Sequence, residues 1–159
     1  MIKVLFVLFL IYFTSNTFAK QLPDFLTHIH PHQNIEALIQ SKTKSNLTYK
    51  QIMEQFGEAY LKIQNGVMLQ DKDMIEDGLN KIQNHPTTKN NPWDIVNTND
   101  IQAFKESLLY YDALLHSGAT DITNSLKNDD WIEINKNIFK LSNHCVNCHI
   151  IWQDNLNTK

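Results

Sequence analysis

Apolar positions near the end of the chain recur at alternating spacings of three and four. Trp131, Ile134, Ile138, Leu141, Cys145, Cys148 and Trp152 form one sustained seam, the pattern of a helix that turns one face to a core. Asp130-Trp131-Ile132-Glu133 stands at its start like a capping box, with Asp130 as N-cap and Glu133 reaching back. Upstream, Thr48-Tyr49-Lys50-Gln51 offers another box. It predicts a helix with Ile52, Phe56, Ala59, Tyr60 and Ile63 inward, ending near Asn65-Gly66. Asp71 or Asp73 starts the next helix, which buries Ile75, Leu79 and Ile82 and stops at His85-Pro86. A loop rich in Thr, Asn and Pro runs to Asn97. Asn99 then caps a helix with Ile101, Phe104, Leu108, Tyr111 and Leu115 on one face, closed by Gly118.

Glycines are few, and no stretch alternates convincingly as a strand would. Four amphipathic helices with mostly short connections predict an all-α fold. Its form is an antiparallel up-down four-helix bundle over residues 47–155, with Cys145, Cys148 and His149 on the C-terminal helix. Residues 20–46 read as a partly helical N-terminal extension. In it Asn34 to Gln40 is either a short helical turn or a prolongation of the first bundle helix.

The first nineteen residues follow another logic. Met1-Ile2-Lys3 gives a positive start, Val4 to Phe13 is unbroken apolar sequence, and Thr17-Phe18-Ala19 closes a small, polar stretch. This is the pattern of a signal peptide over residues 1–19, cut after Ala19. The apolar run is short for a bilayer span, and no later segment is apolar enough for one. The expected product is exported, periplasmic and without a membrane span, and its length suffices for one domain with a real core.

All fourteen basic residues are lysine, and the chain has no arginine. Without residues 1–19, thirteen lysines face seventeen acidic residues, a formal charge of −4. That argues against nucleic acid as a partner, since phosphate neutralisation needs a basic face.

Cys145-Val146-Asn147-Cys148-His149 is the chemically telling stretch. A C-x-x-C-H run offers two thiols to the vinyl groups of a haem and an imidazole to its iron. Residues three and four apart share a helix face, so Cys145, Cys148 and His149 can meet one flat cofactor: a single covalent haem c with His149 as axial iron ligand. Two other readings belong beside it. A C-x-x-C can be a disulfide or a thiol-exchange site, although that motif normally accompanies a βαβ pattern, which is not found here. Structural zinc wants four ligands, and no second cysteine pair exists.

A C-x-x-C-H late on the last helix of a bundle resembles the class II c-type cytochromes, the cytochrome c′ family. The likeness covers about residues 40–155, and its most specific part runs from Asp130 to Trp152. Phe56-Gly57 is similar to an aromatic-glycine pair of that family. Counting back from it places Tyr49 at the position facing the distal side of the iron. The resemblance implies that a methionine there gives a six-coordinate electron carrier, while an apolar or aromatic residue leaves the iron five-coordinate. It also implies attachment by haem-attachment machinery and, for many members, homodimers through the first two helices. The chain departs from the family in having Ser45-Asn46 where an Arg-Gln pair is common, and Gln153 where a basic residue is common. Contacts to propionates then fall to lysine as a point charge, with Lys42, Lys44 and Lys50 nearest in sequence.

Other residues are weighed against plainer roles. Met53, one turn beyond Tyr49, is the rival sixth ligand through its thioether, against a default as core filler. Met68 and Met74 are weaker rivals. Trp152 packs on the proximal side of the haem. His28, His30 and His32 read as a solvated tail, and His85, His116 and His144 as loop, helix-end and helix-surface residues. The first expectation for function is a periplasmic electron carrier that docks with redox partner proteins, not an enzyme. The second is a five-coordinate haem protein that binds nitric oxide or carbon monoxide for scavenging or sensing. A thiol oxidoreductase without haem is the third.

Overall fold

Local capping chemistry sets where most of the helices begin. In the computed structural model, which describes residues 34–155, these are α1 (Ile35–Ser41), α2 (Tyr49–Leu69), α3 (Lys72–Gln83), α4 (Ile101–Lys127) and α5 (Trp131–Trp152). The expected signal peptide and His28, His30 and His32 lie outside the described residues. Asn34 caps α1, its Oδ1 accepting from Ala37 N–H at 2.8 Å. The box at the start of α2 is complete: Gln51 N–H donates to Thr48 Oγ1 at 3.2 Å and Thr48 N–H to Gln51 Oε1 at 2.8 Å. Asp71 caps α3 through Met74 N–H at 3.0 Å. Asp130 caps α5 through Glu133 N–H at 3.0 Å. The Glu133 carboxylate, expected to reach back, pairs instead with Lys136 at 2.9 Å.

Three expected boundaries differ, two of them because a glycine serves close packing. α2 does not stop at Gly66 but continues to Leu69. A Cβ at Gly66 would come within 2.7 Å of Ile75 Cγ1, so this glycine lets α3 approach rather than ending the helix. The end is a Schellman arrangement: Gln70 is left-handed at φ 55°, and Asp71 N–H reaches Gly66 O at 2.8 Å. Gly118 likewise lies inside α4, buried against Leu141. That helix runs on to Lys127 and ends in a second Schellman turn, with Asp129 at φ 54° and Asp130 N–H on Ser125 O. Asn99 does not cap α4; a single 3-10 turn (Thr98–Asp100) leads into it without a side-chain cap.

α2 packs along α3 and α4 along α5, while α3–α4 and α2–α5 contacts link the two pairs. A two-residue parallel ladder, β1 (Lys44–Ser45) beside β2 (Thr87–Thr88), ties the segment before α2 to the segment after α3. No helix among the described residues is long and apolar enough to cross a membrane. The chain is therefore predominantly helical, as its periodicity predicts.

The core has two parts. The larger holds Ile63, Ile75, Ile82, Ile122, Ile134 and Leu141, all within 2 % of full burial, with their neighbours. The smaller gathers Val96, Phe104 and Trp152, with Tyr49, Trp93 and Leu108 against them. Between them lies the cavity that forms the site.

Candidate functional site

Protein interiors are normally close-packed, so a large hole with an apolar wall calls for a chemical reading. The cavity holds about 1120 Å³ of atom-free space, open solvent at its mouth included. Phe56, Tyr60 and Leu115, which rest on the larger core, line one side. Tyr49, Leu108 and Cys148, which rest on the smaller core, line another. Ile35 and Leu38 of α1 add to the wall.

α5 carries the motif to this cavity. Cys145, Cys148 and His149 all border it, as one helical face should. Both sulfurs are free, half-buried thiols. Burial pushes the Cys145 thiol up, and burial together with the neighbouring Cys145 pushes Cys148 up to about 11. Both are protonated at neutral pH. His149 is exposed where it meets the cavity. His144, expected on the helix surface, also borders the cavity and is half-buried. Burial, and then Lys140, lower its pKa.

Tyr49 and Met53 on α2 both border the same cavity. The Tyr49 ring meets Phe104 edge-on at 6.0 Å. Burial, then Cys148 and Asp112, push its phenol above the usual range, so it stays neutral. Gly57 opens the wall: a Cβ built there meets no atom within 4 Å. Trp152 is placed differently. It is absent from the cavity wall and lies buried against Phe104, ring centroids 4.9 Å apart, with Cys148 packed on that group.

A polar cluster interrupts the apolar wall, and sequence reasoning missed it. Lys42, His85 and Asp112 border the cavity. Lys42 Nζ stands 2.8 Å from Asp112 Oδ1, each side chain 10 % exposed, and 2.7 Å from His85 Nε2. His85 Nε2 is 2.9 Å from Asp112 Oδ1, and its ring meets Phe56 edge-on at 4.7 Å. Burial alone would raise the Asp112 carboxyl, but the Lys42 ammonium beside it outweighs burial and holds the group well below the usual carboxylate range. His116, one turn along α4, completes the group. The available signal was Asp112 itself, an acid set among Leu108, Tyr111 and Leu115. Lys42 is thus engaged by protein groups, while Lys44 and Lys50 are exposed.

The donor set fits a covalent porphyrin. Two protonated thiols and an imidazole on one helix face meet a large apolar cradle, and Gly57 keeps its far wall open. Compared with known proteins, the chain matches no family model, no curated protein and no solved structure.

Proposed function

We propose that the chain is a monohaem c-type cytochrome, an antiparallel up-down four-helix bundle of the cytochrome c′ kind formed by α2, α3, α4 and α5. The observation that carries this reading is that Cys145, Cys148 and His149 border one large, apolar cavity. Cys145 and Cys148 would hold the haem by thioether bonds and His149 its iron. When bound, the haem supplies reversible one-electron chemistry. The chain's own residues supply the surroundings. Ile35, Leu38, Phe56 and Leu115 exclude water, and Tyr49 presents a neutral phenol. The raised thiol pKa values weigh against a thiol-exchange enzyme, whose attacking cysteine needs a lowered pKa.

The role is electron transfer with periplasmic redox partners, after export by the N-terminal segment and attachment by haem-attachment machinery. Val146, Ile150 and Ile151 are exposed on both sides of His149 at 49 %, 73 % and 47 %. They give a small apolar rim suited to weak, transient docking. Leu61, Met68 and Leu69, exposed along α2, suit the homodimer of the family.

One observation favours the second reading. Tyr49, at the family's distal position, is an aromatic wall of the cavity, which suits a five-coordinate iron open to nitric oxide or carbon monoxide. Optical spectra of the ferric and ferrous protein separate the two. A low-spin spectrum with a sulfur-to-iron band, lost in Met53→Leu, supports a six-coordinate carrier. A high-spin spectrum that shifts on adding nitric oxide supports gas binding. A purified exported chain with no haem absorption sinks both.

A further inference from the structure

The cluster on the cavity wall is organised around a single positive charge. Lys42 Nζ lies 2.7 Å from His85 Nε2, 2.8 Å from Asp112 Oδ1 and 3.5 Å from His116 Nε2. His85 Nδ1 stands 3.1 Å from the carbonyl oxygen of Pro86. A carbonyl only accepts, so Nδ1 carries the ring proton and Nε2 turns its lone pair to the ammonium. The 2.9 Å between His85 Nε2 and Asp112 Oδ1 is then the edge between two acceptors that share one cation. The other carboxylate oxygen, Asp112 Oδ2, is buried and accepts no hydrogen bond among the described residues. His116 Nε2 stands 3.5 Å from it. Ligating atoms of His85, Asp112 and His116 all lie within 4.8 Å of one another.

We propose that His85, Asp112 and His116 form a site for a divalent transition-metal ion of the zinc class, and that the Lys42 ammonium fills this site when metal is absent. Two imidazoles and a carboxylate are donors that zinc takes, and they leave one of its usual four positions for a further ligand. Magnesium and calcium, which demand oxygen ligands, fit poorly. The Pro86 carbonyl on Nδ1 is the outer partner that ligating histidines commonly have, and it fixes the tautomer that metal requires. Asp112 and His116 are one helical turn apart on α4, and the ladder between β1 and β2 brings Lys42 and His85 together. To reach bonding distances of about 2.0–2.2 Å, His116 must draw inward, which its half-exposed position permits. Ammonium and metal repel one another at such range, so binding requires Lys42 to withdraw.

The test is calorimetric titration of zinc chloride into the purified full chain carrying His28→Gln, His30→Gln and His32→Gln, which removes the other run of imidazoles. One zinc per chain should bind. His116→Gln should weaken binding by about tenfold or more, since one of three protein ligands is lost. Lys42→Met should tighten it by about tenfold or more by removing the competing charge. If Lys42→Met does not fold without metal, His116→Gln decides alone, because it leaves the Lys42–Asp112 pair intact. Absence of zinc binding, or affinity unchanged in His116→Gln, overturns the proposal.

Discussion

Asp112 is the residue whose loss should be felt most outside the motif. It is 9 % exposed and compensates the ammonium of Lys42. Asp112→Asn would leave that charge buried without a partner, and should destabilise the chain by about 3–5 kcal/mol in urea unfolding. The same pair dictates an acid response. The Asp112 pKa is lowered in the folded chain, so the unfolded chain binds the proton more readily. Its contribution is complete above the ordinary carboxylate pKa of about 3.9 and is lost as pH falls through the lowered folded value. Wild-type stability should therefore decline in that acid window, and the Asp112→Asn variant should show a shallower decline. Equal slopes would contradict the geometry. The histidines of this cluster illustrate what sequence hides. His85 and His116 stand 31 positions apart, and only the packing of α3 against α4 with the β1–β2 ladder gives them a shared acid.

Among the elements, capping and close approach yield separate predictions. Thr48→Ala removes half of a complete capping box and should cost about 1 kcal/mol. Gly78→Ala should cost about 1–3 kcal/mol by overpacking, because its Cβ would meet Ile63 Cγ1 at 2.6 Å and Ala59 O at 2.8 Å. Gly57→Ala, with nothing within 4 Å, should instead stabilise the helix by about 0.5–1 kcal/mol. Thermal melts of the three variants rank these effects, and a Gly78→Ala chain as stable as wild type would refute the close α2–α3 contact. Helix starts at Thr48, Asp71 and Asp130 were legible because capping is local chemistry. The ends at Gly66 and Gly118 were misread. A glycine pressed against Ile75 or Leu141 has the same letter as a helix terminator, and only the neighbouring helix distinguishes them. Asn99 was misread because the 3-10 turn moves the start of α4 without needing its side chain.

For the whole molecule, periodicity sufficed to read a helical chain, and the motif's spacing sufficed to put two thiols and an imidazole on one face. The split of the core into two clusters was not legible, because an apolar residue at a cavity wall and one in a packed core look alike in sequence. Trp152 shows this well: its place on the seam of α5 is visible, yet its partner Phe104 is 48 positions away. The proposed function rests on covalent attachment of a porphyrin to Cys145 and Cys148. Denaturing electrophoresis of the exported chain followed by a haem stain tests it most directly. A stained band is expected at the chain's mass and should disappear in Cys145→Ser with Cys148→Ser. A full-length band that takes no stain from the wild-type chain would contradict it.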